Sequence, residues 1–333
     1  MSEESDQLPD DHDPVEDEIL DEGDGDGSGH DGTGGDPRRK WLIVGAVALV
    51  ALLGLVLALV LGGGGDDKDT VDPSTTTTAR DVPTRVLPAD QAEIATVKDS
   101  IDLIDVFAEA PEGWNDSTEA VRIDDAAVEL GEQGPKADGP LPTIDEPIMG
   151  RYAVEGGWEF SNPGPYLPPQ PMTFLIVERR DDWAKVLMPL RPNHTEGYIR
   201  LSDVDVTTTE YRIEITLSDT TLKAYDGDEV IAATKVVIGT PFSQTPTGLF
   251  YVTDMVPYEN PDGAYGPIAL ATNGYSEWMD EFDTGVPVVA MHGTNRPDQV
   301  GQQLSNGCIR VPNDIIERLA ETVPQGTPVL ITP

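Results

Sequence analysis

The chain has 333 residues, enough for two or three domains at roughly 100–200 residues each. Its 61 Asp and Glu against 21 Lys and Arg give a formal net charge of −40. That balance excludes a nucleic-acid binder, which needs clustered cations to displace counterions. A single cysteine, Cys308, excludes an internal disulfide and every multi-cysteine metal site, and four histidines leave few candidates for imidazole chemistry.

Residues 1–37 form an acidic tail: 15 Asp and Glu precede the first basic residue, with almost nothing to bury, so the composition predicts disorder. Arg38-Arg39-Lys40 then meets an uncharged run from Trp41 to Leu61. As a helix those 21 residues are about 31 Å long, against a hydrocarbon core of roughly 30 Å. Residues 38–61 therefore predict a basic flank and a single transmembrane helix. The basic cluster on its N-terminal side keeps the tail in the cytoplasm and puts the rest outside the cytoplasmic membrane. Residues 62–84, with Gly62–Gly65 and a Ser/Thr run, read as a flexible extracellular tether.

Residues 85–206 carry short β segments between Pro- and Gly-rich stretches. Thr173–Glu178 and Trp183–Met188 flank a turn, and Gly197–Leu201 follows another at Pro192-Asn193. Strand, turn, Trp-bearing strand and a Gly-Tyr-Ile-Arg strand resemble the end of a small Src-homology-3-like β-barrel. Residues 131–171 read as long loops, and His194 as a surface loop residue. With no paired catalytic groups, this domain is expected to be a spacer.

Residues 207–333 read as β with one late helix. Strands are expected over 210–218, 221–225, 229–238, 249–254, 286–292 and 327–332, with a hairpin turn at Asp226-Gly227-Asp228. A helix over 313–322 follows Pro312 and ends before Pro324 and Gly326, with Asp314 and Glu317 at capping-box spacing. Residues 255–285 hold five aromatics, which suit either a flap over a cleft or a second small core.

The chemistry gathers here. His292 ends an alternating strand, Val286-Pro-Val-Val-Ala-Met-His292, and a Gly- and Pro-containing loop leads to Ser305-Asn-Gly-Cys-Ile-Arg310. A thiol is a weak nucleophile at neutral pH until a base or positive field favours its ionisation, and His292 can supply the base for Cys308. Gly307 lets the backbone turn, so that the Gly307 and Cys308 N–H groups could face a developing oxyanion. Arg310 could hold a substrate carboxylate or fix the loop through an ion pair; the structural role is favoured.

Ala290-Met-His-Gly-Thr-Asn295, Ser305-Asn-Gly-Cys-Ile-Arg310, Gln244-Thr-Pro-Thr-Gly-Leu-Phe250 and the opening Tyr211-Arg-Ile together resemble the L,D-transpeptidase (YkuD-type) catalytic domain over 209–333. The resemblance implies a mainly β sandwich or barrel in which Cys308 is nucleophile, His292 general base and acid, and the Gly293 carbonyl the group that orients the imidazole. Ser305, Asn306, Gly307 and Arg310 become substrate or oxyanion contacts; many members carry His where this chain has Asn306. The implied reaction is acyl transfer between peptidoglycan stem peptides through a cysteine thioester, without metal or cofactor, open to carbapenem inhibitors. The acceptor, amine or water, decides between cross-linking, D-amino-acid exchange and carboxypeptidase activity. A sortase, in which His and Arg lie further from Cys, and a catalytically decayed wall-binding scaffold are the alternatives.

Overall fold

A computed structural model of the chain describes residues 84–86, 90–123, 151–282 and 285–333. The acidic tail, the apolar run 41–61 and nearly all of the tether lie outside these residues. Among the described residues no helix is long and apolar enough to cross a membrane.

The N-terminal part builds a ten-stranded sheet: β1 (Thr84–Val86), β2 (Ala92–Val97), β3 (Leu103–Phe107), β4 (Ala120–Arg122), β5 (Arg151–Val154), β6 (Gly157–Ser161), β7 (Thr173–Arg180), β8 (Trp183–Leu187), β9 (Glu196–Arg200) and β10 (Val204–Thr209). The order is β1-β4-β7-β8-β9-β3-β6-β5, and β2 joins β7 to β10. The β5–β6 hairpin at 151–161 falls where the Pro and Gly content predicts loops. Trp158 and Phe160 supply the apolar alternation that pairs it with β3, Phe160 opposite Ile104.

β7 shows how this sheet relates to the rest. Its run Thr-Phe-Leu-Ile-Val lacks the in/out alternation of a half-exposed strand, and all five residues are buried. Side chains alternate across a sheet, so such a run must be covered on both faces. Phe174 and Ile176 enter the first sheet's own core with Ile104, Val106 and Ile199. Leu175 and Val177 point the other way, against Leu249 and Tyr251 of the following sheet.

The C-terminal part, which contains that second sheet, comprises β11 (Tyr211–Thr216), β12 (Thr221–Asp226), β13 (Glu229–Lys235), β14 (Ile238–Gly239), β15 (Gly248–Pro257), β16 (Ile268–Tyr275), β17 (Val288–His292), β18 (Gln303–Ser305), β19 (Ile309–Arg310), a helix α1 (Asn313–Thr322) and β20 (Pro328–Thr332). Eight strands run β13-β12-β11-β20-β15-β16-β17-β19, with β14 and β18 as a separate parallel pair. β20 lies parallel to β11 and antiparallel to β15. The architecture is mainly β with one short C-terminal helix.

β16 falls inside the aromatic-rich stretch, where the sequence pattern signals no strand. Its sequence, Ile-Ala-Leu-Ala-Thr-Asn-Gly-Tyr, is poor in branched residues, and pairing on both sides with β15 and β17 outweighs that weak propensity. The helix spans the predicted residues, but Asp314 and Glu317 form no capping box. Pro312 occupies the cap position without a side-chain bond. Ile316, Leu319 and Val323, spaced three and four apart, press into the core with Phe250, Leu270 and Met291.

Candidate active site

Cys308 stands on the turn between β18 and β19. β19 lies parallel to β17 with Met291 opposite Ile309 and His292 opposite Arg310, so the thiol precedes the paired strand by one residue and the imidazole ends the neighbouring one. Both side chains line a cavity of about 190 Å³ together with Tyr265, Ser276, Met279 and Arg310.

Two buried hydroxyls build the turn. Ser305, buried, donates to the Cys308 carbonyl at 2.5 Å and accepts from the Gly307 N–H at 3.2 Å. From across the fold, buried Thr245 donates to the Gly307 carbonyl at 2.9 Å and accepts from the Gly239 N–H at 3.0 Å. Gly307 sits at φ +114°, where a side chain is strained. The Gly307 N–H is already bonded within the turn and the Ser305 hydroxyl is its staple. Among the described residues the Cys308 N–H makes no backbone hydrogen bond. Asn306 is exposed at the rim of the cavity.

His292 is buried, and its Nδ1 lies 2.7 Å from the Gly293 carbonyl oxygen. A carbonyl only accepts, so Nδ1 carries the hydrogen and Nε2 keeps its lone pair. Burial lowers the imidazole from its ordinary value to about 4; the Gly293 carbonyl opposes the shift and the Arg310 charge adds to it. The ring is neutral at pH 7, as a base must be.

Cys308 is half-buried, with Sγ 3.7 Å from the Val288 carbonyl oxygen. Burial pushes its pKa up, against the pull of the Ala290 backbone and of Arg310. The resting pair is thus thiol and imidazole, both neutral, rather than a standing thiolate.

Arg310 donates to Oε1 of Gln299 at 3.0 Å. Its partner is a neutral amide instead of the expected carboxylate, and among the described residues it forms no ion pair. Its charge acts on both His292 and Cys308.

The five aromatics of 255–285 divide between the two uses considered for them. Tyr265 lies 4.9 Å from the His292 ring, and Tyr258 stacks on Tyr265 at 5.2 Å, so this pair covers the imidazole. Phe282 borders the cavity and Trp278 is half-exposed. Tyr275 is a core residue whose hydroxyl donates to the Pro189 carbonyl at 2.8 Å.

His194 is also placed otherwise than its loop suggests. Its ring sits 5.0 Å from that of Phe250, between the two sheets, and burial lowers its pKa. Thr245 and Asn313 are contributors not singled out from the sequence. Asn313 Oδ1 accepts the Thr294 N–H at 2.7 Å, tying the start of α1 to the stretch after His292. The only signal for Thr245 is its place in the Thr-Pro-Thr-Gly segment; Asn313 has none beyond its position beside Pro312.

The YkuD profile, L,D-transpeptidase catalytic domain, matches residues 210–331. A Bacillus licheniformis protein named "Putative L,D-transpeptidase YkuD" is 35% identical over 126 residues, covering 38% of this chain and 68% of its own length. The protein of the same name in Bacillus subtilis is 32% identical over 127 residues, covering 38% of this chain and 69% of itself. Among solved structures, the Ldtfm–avibactam carbamoyl enzyme is 24% identical with a TM-score of 0.28; the match covers 37% of this chain and about half of that one, 49%. This chain belongs to the YkuD family of L,D-transpeptidase catalytic domains.

Proposed function

We propose that the chain is a peptidoglycan L,D-transpeptidase that joins stem peptides through a thioester on Cys308. The observation that carries this reading is the bond from His292 Nδ1 to the Gly293 carbonyl, which leaves Nε2 as a neutral base in the cavity that also holds the only cysteine.

In the first half-reaction the thiol proton passes to Nε2 as sulfur attacks the carbonyl carbon of the stem's third residue. The Cys308 N–H faces the oxyanion. On collapse the C–N bond to the terminal D-alanine breaks, and the imidazolium returns its proton to the departing amine. In the second, an amine of a neighbouring stem attacks the thioester and gives its proton to the imidazole; the C–S bond breaks and sulfur leaves, to be reprotonated. Arg310 favours negative charge at sulfur during both steps. No cofactor takes part, and a carbapenem acylates the same thiol by opening its lactam.

The apolar run 41–61, with Arg38-Arg39-Lys40 on its N-terminal side, supports anchoring in the cytoplasmic membrane with the catalytic region facing the wall.

Muropeptide profiles of cells with and without the protein test the reading. Third-to-third-residue cross-links should depend on the wild-type chain and be absent with Cys308→Ser. A profile indifferent to both would leave a wall-binding scaffold.

A further inference from the structure

Four residues of the N-terminal part bond to the stretch that leads into the wall of the cysteine–histidine cavity. The guanidinium of Arg191 donates to three backbone carbonyls of one irregular segment: Met279 at 2.6 Å, Ser276 at 3.1 Å and Asp280 at 3.3 Å. Asn193, buried, brackets the start of the same segment. Its Nδ2 donates to the Tyr275 carbonyl at 2.9 Å and to Glu277 Oε1 at 3.1 Å, and its Oδ1 accepts the Tyr275 N–H at 2.8 Å. Pro189 and Met188 offer carbonyls to the Tyr275 hydroxyl and to Asn273. The segment so held contributes Ser276 and Met279 to the cavity that contains Cys308 and His292.

Residues 276–281 lie in no strand or helix, so their carbonyls find no partner in a sheet ladder. A planar guanidinium with five donors suits three carbonyls of one turn in a way that an ammonium does not. Burial depresses the Arg191 pKa against the opposing charge of the Asp280 carboxylate, so the cation is held partly desolvated among the carbonyls. Such a costly placement on a mere spacer would have no return.

We propose that Arg191, with Asn193, is a positioning residue for acyl transfer at Cys308: it fixes the 275–280 segment, and so the shape of the donor side of the cavity, from outside the catalytic sheet. The proposal rests on Cys308 being the acyl-accepting thiol. It makes residues 85–206 part of the active-site structure as well as a spacer.

The test compares the full-length wild-type chain with Arg191→Ala, Arg191→Lys and Asn193→Ala. The probes are amide hydrogen exchange, acylation of Cys308 by a carbapenem, and alkylation of Cys308 by iodoacetamide. In Arg191→Ala, exchange over 275–282 should quicken while β11–β13 stay protected. The acylation rate constant should fall roughly tenfold or more, since a misplaced wall costs orientation. Iodoacetamide is too small to use that wall, so its rate should stay within about twofold. Arg191→Lys should recover part of the acylation, and Asn193→Ala gives the same split if Arg191→Ala does not fold. Unchanged exchange over 275–282 overturns the clamp whatever the enzyme does. Acylation and alkylation falling together overturn it too, because that is loss of fold. Changed exchange in a chain that the carbapenem never acylates refutes the role in transfer together with the assignment of Cys308, leaving a mechanical contact.

Discussion

Nδ1 of His292 and the carbonyl oxygen of Gly293 are 2.7 Å apart, and this contact between chain neighbours selects the tautomer that leaves the lone pair on Nε2. With the ring's pKa lowered to about 4 by burial, the acid limb of kcat/KM should fall near pH 4. A limb at the ordinary histidine value of about 6.5 would show an exposed or paired ring instead.

The same shift has a stability signature. Unfolded, the imidazole takes a proton below about pH 6.5, whereas the folded ring refuses it until about 4. Stability from this group is therefore full above 6.5, is lost as pH falls toward 4, and is constant below. The loss amounts to about 3 kcal/mol. Urea titrations of wild type and His292→Gln between pH 7 and 4 isolate it from the contribution of His194, which has the same sign. Parallel curves would contradict the shift.

Cys308→Ser should abolish both carbapenem adduct and turnover with the fold intact. His292→Ala should lower turnover by about 10²–10⁴. Because burial raises the thiol pKa, wild-type alkylation should climb only above the ordinary thiol range. Fast alkylation at pH 6 would mean a standing thiolate.

Thr245→Val removes a donor and an acceptor in one step, leaving the Gly307 carbonyl and the Gly239 N–H buried without partners. Stability should drop by about 2–4 kcal/mol, and transfer should slow at temperatures where the protein remains folded. A variant as active and as stable as wild type would show that Ser305 alone shapes the turn.

Gly266, at φ +63°, is where the chain passes His292's orienting carbonyl. A Cβ there would lie 2.6 Å from the Gly293 Cα and 2.7 Å from Asn313 Oδ1. Gly266→Ala should therefore cost activity by roughly tenfold or more through the displaced carbonyl. Activity retained at the wild-type level in a folded variant would mean that the neighbouring chain yields without moving the base.

Much of this molecule is legible along the chain because its information is local. Ile213, Ile215 and Leu222, Ala224 alternate as a hairpin must, and the 313–322 helix announces itself through Ile316, Leu319 and its flanking prolines. His292 and Cys308 stand out because so few residues could do their chemistry. What escapes is set by distant partners. β16 becomes a strand because β15 and β17 flank it; Thr245 matters through a carbonyl 62 positions away, and Arg191 through carbonyls 85 to 89 positions away. His194 reads as surface until Phe250, 56 positions on, closes over it.

The place of β20 between β11 and β15 governs the order in which the molecule can be assembled. Synthesis supplies β11 through β19 first, yet β11 and β15 have no strand to join them until residues 328–332 follow. Until then β11 and β15 present facing open edges, and pairing β20 with β15 across about 80 positions and with β11 across 116 makes closure slow relative to local hairpins. The wall of strands behind His292 and Cys308 is complete only when the middle strand arrives after all the others.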